Sequence, residues 1–243
     1  MRIVGIVPAR YSSSRFPGKP LADIHGKPMI IRVYEKALSS PSLSGVVVAT
    51  DDERIAKVCG EYGVKSIITD YNISFMTERV YAASLKIEAD AYYCLPGDEP
   101  LISPSAIDTV VSAYKANPYF ELVHAIGDID NATEVIDYTN LKTVSNENGE
   151  CIYISRSPIP YPKGDLDFNY RKLVCGGVFS KAGLEFFHST PIGRLERAED
   201  CDIVRFIEHG RKVLLVPIKD KTLSVDTPKD LERVRSIWEN KVE

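Results

Sequence analysis

A group of basic and hydroxyl side chains follows the first apolar segment of the chain. Residues Val7–Leu21 read Val-Pro-Ala-Arg-Tyr-Ser-Ser-Ser-Arg-Phe-Pro-Gly-Lys-Pro-Leu, so that Arg10, Arg15 and Lys19 recur at intervals of five and four. Cationic side chains and the backbone amides of a turn are groups that bind phosphate oxygens. The segment therefore predicts a phosphate-binding loop, and the alternative is a basic loop that is simply solvated.

Two familiar explanations for such a loop are excluded. The sequence contains neither the GxxxxGK[ST] pattern of a Walker A motif nor the GxGxxG pattern of a dinucleotide-binding turn. With 30 lysines and arginines against 34 aspartates and glutamates, the formal net charge is -4. The chain as a whole therefore lacks the positive charge that attracts nucleic acid or an anionic membrane. Anion binding must be local, and we expect no nucleic-acid partner.

Alternating strands and helices must position this loop. Runs rich in valine and isoleucine predict buried strands at Ile3–Val7, Gly45–Thr50, Ser66–Ile68, Ala91–Leu95 and Leu122–Ile126. The amphipathic segments between them predict helices at Met29–Leu38, Asp52–Tyr62, Thr77–Leu85 and Ser105–Tyr114. This alternation is typical of an α/β fold with a mainly parallel sheet and helices on both faces. Ligands of such sheets bind beyond the carboxyl ends of the strands, where the basic loop begins.

The pattern changes after residue 140. Leu141–Val144 and Glu150–Ser155 flank an Asn-Glu-Asn-Gly turn and predict a hairpin. We interpret residues 141–179 as a small antiparallel extension of the sheet within one domain that spans residues 1–243. After this extension we expect a helix at Leu195–Glu208, a strand at Arg211–Pro217 and a last helix that begins near Pro228.

Other residue types suggest a plain cytoplasmic protein. The five cysteines form no CxxC pair, which argues against a zinc site or a disulfide framework. The apolar run Ile3–Val7 is too short for a signal peptide or a membrane span. No cysteine, serine or carboxylate stands at motif spacing from a histidine, so we expect all four histidines in loops or on the surface: His25, His124, His188 and His209.

Seven blocks of sequence resemble one enzyme family in the same order along nearly the whole chain. They are PARYxSxRxPGKPL in the first loop, Asp23–Met29, Val48–Asp51, Thr77–Arg79, Gly97–Pro100, Ser155-Arg156 with Ile159-Pro160, and Val225–Pro228. Together these blocks resemble the sugar-acid cytidylyltransferases, and most closely the CMP-KDO synthetase (3-deoxy-manno-octulosonate cytidylyltransferase) family. The resemblance implies a Rossmann-like nucleotidyltransferase sheet. It also implies attack of a sugar-acid hydroxyl on CTP, which yields a CMP-sugar for lipopolysaccharide and pyrophosphate.

The resemblance also implies roles for individual residues. Those expected to bind the nucleotide are Pro8, Ala9, Arg10, Ser12, Ser13, Ser14, Arg15, Lys19, Arg79 and Asp98. Arg10 and Lys19 are expected to act in catalysis, since the triphosphate and the departing pyrophosphate need compensating positive charge.

Two aspartates are expected to complete the catalytic group as ligands of a Mg²⁺ cofactor. Asp98 and Asp226 each follow an apolar segment, and Mg²⁺ prefers one or two protein carboxylates together with phosphate oxygens and water. The spacing of 128 residues cannot by itself bring them together. Asp98 could instead begin a loop, and Asp226 could cap the last helix.

The acceptor side of the site is expected to use Arg79, Pro96, Arg156, Glu196 and Glu199. For Arg79 the alternative is a solvated position on a helix, and for Arg156 it is a solvent-facing strand end. The resemblance further implies a homodimer in which residues 141–179 form the dimerisation arm.

The sequence departs from the family pattern mainly on the acceptor side. Phe75-Met76 stands where Ser-Gly is usual, Pro96 replaces a glutamine, and the usual histidine falls at or near Val174. The family's Glu-Gln-Leu-Arg becomes Asp202-Ile-Val-Arg205. Because hydrogen-bond donors are lost while the triphosphate loop is kept, the acid stays open: a KDO-type sugar acid, a modified KDO, a nonulosonate or a phosphonate. A nucleotide-binding protein without turnover is the remaining alternative.

Overall fold

The structure, a computed structural model, describes residues 1–12, 15–164 and 167–239. The strands are β1 (Ile3–Ala9), β2 (Asp23–Ile24), β3 (Lys27–Pro28), β4 (Val46–Thr50), β5 (Ser66–Ile68), β6 (Ala91–Cys94), β7 (Leu122–Asp128), β8 (Lys142–Ser145), β9 (Cys151–Ser155), β10 (Arg171–Ser180) and β11 (Val213–Pro217). The helices are α1 (Met29–Leu38), α2 (Glu53–Glu61), α3 (Met76–Ser84), α4 (Pro104–Ala116), α5 (Ala132–Ile136), α6 (Lys181–Ser189), α7 (Arg194–Glu199), α8 (Val204–Glu208) and α9 (Pro228–Glu239).

The main sheet is mostly parallel, as expected. Strands β5, β4, β1 and β6 run parallel in that order, and β7 and β11 form a second parallel pair. Strand β10 runs antiparallel between β6 and β7. The chain passes from β1 outward to β4 and β5 and then returns to β6 on the other side of β1. The strand order therefore reverses between β1 and β6, which is the usual place for a ligand in an open α/β sheet.

Helices cover both faces of the sheet because the inner strands are apolar on both sides. Within β1, Ile3 and Val7 pack into the core beneath α1, α4 and α9, whereas Val4 and Ile6 pack into the core beneath α3, α6 and α8. All four of these side chains are buried. A strand that buries both faces needs apolar residues at every position, which explains the unbroken hydrophobic run at the start of the chain.

Strand β10 is distorted where it passes β6. Its register against β7 shifts between Leu173 and Gly177, and two intervening residues, Cys175 and Gly176, have positive φ angles of 57° and 81°. A Cβ at Gly176 would lie 1.9 Å from the carbonyl oxygen of Cys94. The distortion turns Val174 and Cys175 out of the regular sheet and toward the cavity described below.

The segment 141–179 contains the predicted hairpin, formed by β8 and β9. Strand β8 also pairs with the beginning of β10, so the hairpin is attached to the main sheet. The rest of β10, which the sequence places within the extension, lies inside the main sheet instead. Exposed apolar side chains occur on this segment, with Ile152 at 57% exposure and Tyr161 at 85%.

The predicted single helix at Leu195–Glu208 is wrong, because the structure has two short helices there, α7 and α8. Asp200 has a left-handed conformation, with φ 46° and ψ 53°, and it ends α7. Cys201, Asp202 and Ile203 then form the turn before α8, and all three line the cavity. The interruption places them there, since one continuous helix could not direct consecutive residues to the same wall.

We predict that Gly176→Ala lowers the free energy of unfolding by at least about 2 kcal/mol. The new methyl group would require a left-handed conformation and would collide with a backbone oxygen that cannot move aside. Urea denaturation measures the change. Gly60→Ala is the matched control, because its Cβ would meet no atom within 4 Å and alanine favours the α2 helix. A loss below about 0.5 kcal/mol at Gly176 would contradict this explanation of the distorted strand.

Candidate active site

A cavity of about 450 Å³ lies at the carboxyl ends of β1 and β6, where the strand order reverses. The end of β1 and the basic loop form one wall, and the loop after β6 forms another. The start of α3, the distorted part of β10 and the turn between α7 and α8 close the remaining sides. These parts of the chain, together with His124 on β7 and the segment that carries Asp226, therefore meet at the position that the parallel sheet predicts for a ligand.

Lys19 brings the two predicted metal ligands together. Its Nζ donates to Oδ2 of Asp98 at 2.6 Å and lies 3.6 Å from Oδ1 of Asp226. Arg15 Nη2 donates to the same Asp226 oxygen at 3.0 Å. Since Lys19 and Asp98 are mostly buried, with exposed side-chain fractions of 15% and 27%, water screens this contact less than it would at the surface. The fold thus joins carboxylates that are 128 residues apart in the sequence.

Asp226 does not cap the last helix. Thr227 and Asp230 form that cap, because the backbone amide of Asp230 approaches Thr227 Oγ1 and the Thr227 amide donates to Asp230 Oδ2 at 2.9 Å. This reciprocal arrangement satisfies backbone amides at the start of α9, while the Asp226 carboxylate pairs with Arg15 of the basic loop. The capping alternative for Asp226 is therefore wrong.

Glu99 and Ser224 hold the two aspartate-bearing segments together. The Ser224 hydroxyl donates to Oε1 of Glu99, and the amide of Val225 donates to the carbonyl of Asp98 at 2.9 Å. Burial raises the pKa of Glu99 to about 7, and its Oε2 is buried without a hydrogen-bond partner among the described residues. Sequence reasoning assigned Glu99 no role, although it directly follows Asp98.

Arg79 lines the cavity but is not a solvated helix residue. Only 3% of it is exposed, and its guanidinium forms an ion pair with Asp51 at 2.8 Å. It also donates to Thr69 Oγ1 and to the carbonyl of Ile73 at 2.9 Å. Burial lowers the pKa of Arg79, which Asp51 opposes. The arginine thus ties α3 to the loop after β4, and its expected contacts with nucleotide and acceptor stay predictions.

Three of the expected acceptor-binding residues have structural contacts outside the cavity lining. Glu196 is fully buried and forms a two-pronged ion pair with Arg205, both distances being 2.6 Å. Glu199 accepts from the Ser155 hydroxyl at 2.7 Å and from the backbone amide of Arg156 at 2.8 Å. The Arg156 guanidinium donates to backbone carbonyls, including that of Glu199 at 2.7 Å. In this structure these groups shape the wall rather than face the cavity, and Arg156 is not a free strand end.

The other predicted positions divide clearly. The residues that line the cavity are Pro8, Ala9, Arg10, Arg15, Lys19, Arg79, Pro96, Asp98 and Asp226. Ser12 is exposed and is not part of the lining, and Ser13 and Ser14 lie outside the described residues. The departures Phe75, Met76, Val174, Asp202 and Ile203 are all part of the lining. The sequence differences from the family are therefore concentrated at the cavity wall.

His124 is buried in the cavity wall, which corrects its assignment to a loop or the surface. It lies in the middle of β7 with 6% exposure, and its Nδ1 donates to the carbonyl oxygen of Ala125 at 2.8 Å. Burial lowers the pKa of the imidazole to about 4. A neutral ring with Nδ1 protonated leaves Nε2 as a hydrogen-bond acceptor. The signal in the sequence is a single polar residue inside an otherwise apolar strand.

The residues around Lys19 fit a magnesium site of the kind expected when a triphosphate is bound. Asp98 and Asp226 supply two carboxylates, and a cation already lies between them in the form of the lysine ammonium. Among the described residues no group of three or more His, Cys, Asp or Glu side chains could hold a metal ion. Mg²⁺ usually binds one or two protein carboxylates and completes its shell with phosphate oxygens and water.

Comparison with known proteins identifies the family. The family model described as cytidylyltransferase matches residues 4–239. The chain belongs to the cytidylyltransferase family. A curated relative named 8-amino-3,8-dideoxy-manno-octulosonate cytidylyltransferase, from Shewanella baltica (strain OS185), is 36% identical over 237 residues, which covers 96% of this chain and 97% of the relative. The same name belongs to a relative from Shewanella sp. (strain W3-18-1), also 36% identical and with the same coverage.

Solved structures agree with this assignment. A CMP:2-keto-3-deoxy-manno-octonic acid synthetase in complex with CTP superposes with a TM-score of 0.94 and 36% identity, covering 99% of this chain and all of the other. A cytidylyltransferase from Leptospira borgpetersenii serovar Hardjo-bovis (strain JB197) has a TM-score of 0.68 at 19% identity, with 99% and 87% coverage, and supports the fold alone. The expected family and the expected nucleotidyltransferase fold are thus confirmed.

We predict that His124 makes the folded state less stable as the pH falls from 7.5 to 5. Its folded pKa of about 4 is below the ordinary value of 6.5, so the unfolded chain takes up the proton first. The contribution is complete above pH 6.5 and decreases by about 2 kcal/mol on reaching pH 5. Urea denaturation of wild type and His124→Asn at a series of pH values tests this, because asparagine keeps an N–H donor but does not titrate. Parallel stability curves would contradict it.

Proposed function

We propose that this protein transfers CMP from CTP to a hydroxyl group of a KDO-type sugar acid, with Mg²⁺ as cofactor. In this reaction the acceptor oxygen forms a bond to the α-phosphorus, the bond from that phosphorus to the bridging oxygen breaks, and pyrophosphate leaves. The hydroxyl proton is released to solvent. The observation that carries the proposal is the meeting of Lys19, Asp98 and Asp226 in the cavity of a chain that belongs to the cytidylyltransferase family.

The basic loop is suited to hold the triphosphate. Arg10, Arg15 and Lys19 all line the cavity at the end of β1, and two of them are already engaged by carboxylates. We infer that phosphate oxygens take over Arg15 and Lys19 when CTP binds, because a polyanion outcompetes a single carboxylate for these donors. Bound between Asp98 and Asp226, Mg²⁺ would supply charge compensation for the phosphates.

The KDO-type acceptor is inferred from the relatives and from the volume of the cavity. The Shewanella baltica relative is named for an 8-amino octulosonate, and the solved synthetase is named for the parent octonic acid. A cavity of about 450 Å³ falls in the usual range for small-molecule sites.

Of the described helices, none is long and apolar enough to span a membrane. We propose that the reaction takes place in the cytoplasm, because all five cysteines are free thiols, as is usual in a reducing compartment.

Pyrophosphate release tests the proposed reaction. The purified protein is mixed with CTP and Mg²⁺, and 3-deoxy-manno-octulosonate, its 8-amino derivative, a nonulosonate and a small phosphonate are added separately. We expect pyrophosphate with at least one octulosonate and none without acid. Pyrophosphate only with the nonulosonate or the phosphonate would move the acceptor to another class. CTP binding without pyrophosphate for any acid would support a nucleotide-binding protein without turnover.

We predict that Asp98→Asn and Asp226→Asn each lower kcat by about a hundredfold or more. A neutral amide is a poor Mg²⁺ ligand, so charge on the phosphates would go uncompensated. Pyrophosphate release at saturating Mg²⁺ measures the effect. Asp128→Asn is the matched control, because Asp128 accepts from an arginine at 3.0 Å, as Asp226 does, but outside the cavity. Near-normal activity of either cavity variant would remove that aspartate from the proposed metal site.

Lys19→Ala should weaken CTP binding about tenfold or more and should affect CMP much less. The ammonium is expected to contact the β and γ phosphates, which CMP lacks. Calorimetric titration with both nucleotides measures the difference. Lys27→Ala removes a lysine that contacts a carboxylate at the same distance of 2.6 Å, but outside the cavity. Equal losses for CTP and CMP in Lys19→Ala would contradict the assigned contact.

We propose that the protein forms a homodimer through segment 141–179. Ile152 on β9 and Tyr161 after it expose large apolar surfaces that an isolated chain would leave in water. Sedimentation velocity at micromolar protein should give the mass of two chains, and Ile152→Arg with Tyr161→Arg should shift the protein to monomer. A wild-type protein that sediments as a monomer at every concentration would overturn the dimer.

A further inference from the structure

The turn between α7 and α8 presents a fixed carboxylate to the cavity. Oδ2 of Asp202 accepts from the backbone amide of Thr77 at 3.2 Å and from the Thr77 hydroxyl at 2.6 Å. Oδ1 accepts no hydrogen bond from the described residues, and no lysine or arginine among them forms an ion pair with Asp202. The side chain is therefore held in one orientation by one oxygen while the other oxygen is left for a ligand.

His124 adds a second acceptor to the same cavity. Its Nδ1 proton is committed to the Ala125 carbonyl, so the neutral ring has only the Nε2 lone pair to offer. Asp202 and His124 both line the cavity, and neither offers a charged or strong donor to a ligand there.

The neighbouring positions do not restore donors. Pro96 and Ile203 stand where the family pattern has glutamine, and Val174 lies at or near the position of its histidine. All three line the cavity with apolar side chains. Phe75 and Met76 add further apolar surface at the start of α3. This wall therefore presents an anionic oxygen and a nitrogen lone pair within apolar surroundings, where electrostatic attraction is stronger than in water.

A count of donors shows what such a wall can bind. A hydroxyl group has one proton to donate, so it satisfies one of the two acceptors and presents its own lone pairs to the other. An ammonium group donates up to three hydrogen bonds and accepts none. It also carries a positive charge that compensates the negative charge of the Asp202 carboxylate. A primary alkyl amine is protonated near neutral pH, as lysine is.

We propose that Asp202, assisted by His124, is the specificity determinant for an ammonium group on the acceptor, so that the enzyme prefers an amino-substituted octulosonate to the hydroxyl form. This inference rests on the proposed function, since it assigns the acceptor of the same transfer. Thr77 takes part as a positioning residue, because its amide and hydroxyl fix the Asp202 carboxylate at the start of α3.

The experiment compares kcat/KM for two acids that differ at one position, 8-amino-3,8-dideoxy-manno-octulosonate and 3-deoxy-manno-octulosonate, by pyrophosphate release at pH 7.5. The wild type should favour the 8-amino octulosonate by about tenfold or more. Asp202→Asn should lower kcat/KM for the 8-amino octulosonate by about tenfold to a hundredfold, while kcat/KM for the hydroxyl form changes by less than about threefold. The KM for CTP should stay the same, which also shows that the variant is folded.

Asp137→Asn is the matched control. Its carboxylate accepts from the amide of Thr139 at 2.8 Å and from the Thr139 hydroxyl at 2.7 Å, as Asp202 does with Thr77, but outside the cavity. It removes the same negative charge and should leave the acid preference unchanged. A second variant, His124→Phe, should reduce the preference for the 8-amino octulosonate without changing the KM for CTP.

Three results would overturn the inference. If the wild type has the same kcat/KM for the hydroxyl form and for the 8-amino octulosonate, it needs no ammonium subsite. This outcome does not depend on any variant. Equal losses for both acids in Asp202→Asn would make Asp202 a general contact for the acceptor. In both cases pyrophosphate is still formed, so the proposed transfer stands. Absence of pyrophosphate with either acid would instead remove the proposed function and the inference together.

Discussion

The candidate site depends on the ammonium group of Lys19, which lies between two carboxylates from distant parts of the chain. Asp98 and Asp226 would repel each other in a partly buried cavity without a cation between them. The lysine reaches them because the 3-10 turn at Lys19–Leu21 follows the loop at the end of β1. The backbone contact from Val225 to Asp98 then fixes the two acidic segments side by side. Opposite charges hold this arrangement together. Another cation can therefore replace the lysine ammonium between the carboxylates, and phosphate oxygens can replace the carboxylates as partners of the lysine.

The sheet determines where this charge cluster can form. The order of the strands reverses beside β1, so the loops after β1 and β6 separate and leave space at their carboxyl ends. Strand β10, antiparallel to its neighbours, closes the cavity with its distorted segment rather than with a regular edge. The buried pair of Glu196 and Arg205 supports the opposite wall, since Arg205 also packs its guanidinium 3.7 Å from the ring centre of Phe187. The cationic loop and the apolar wall therefore come from independent parts of the fold.

Much of this organisation could be predicted from the sequence, because its signals are local. The inner strands are mostly apolar, and the residues around Pro228 carry the signals of a helix start. The basic loop and the two aspartates could be named from their motifs, and the structure brings Lys19, Asp98 and Asp226 together as the resemblance implies. What the spacing could not provide was their distance, which depends on the crossover connections of the sheet.

The features that could not be predicted have the opposite origin, in contacts between residues far apart in the sequence. Glu196 and Glu199 have the spacing of a helix face, yet their partners are Arg205 and the end of β9, which no local pattern reveals. The helix predicted over 195–208 is interrupted by the left-handed conformation of Asp200, and periodicity alone does not detect one such residue. His124 was expected in a loop or on the surface because it lacks a motif partner, although its position within an apolar strand indicates burial.

A crystal structure with Mg²⁺ and a CTP analogue whose α,β-bridging oxygen is replaced by a methylene group would test the central claim most directly. We expect one cation bound to carboxylate oxygens of both Asp98 and Asp226 at about 2.0–2.1 Å, with an α-phosphate oxygen in the same shell. We also expect Lys19 Nζ to move from Asp98 to the phosphates. A cation held only by phosphate oxygens and water, with Lys19 still bound to Asp98, would contradict it.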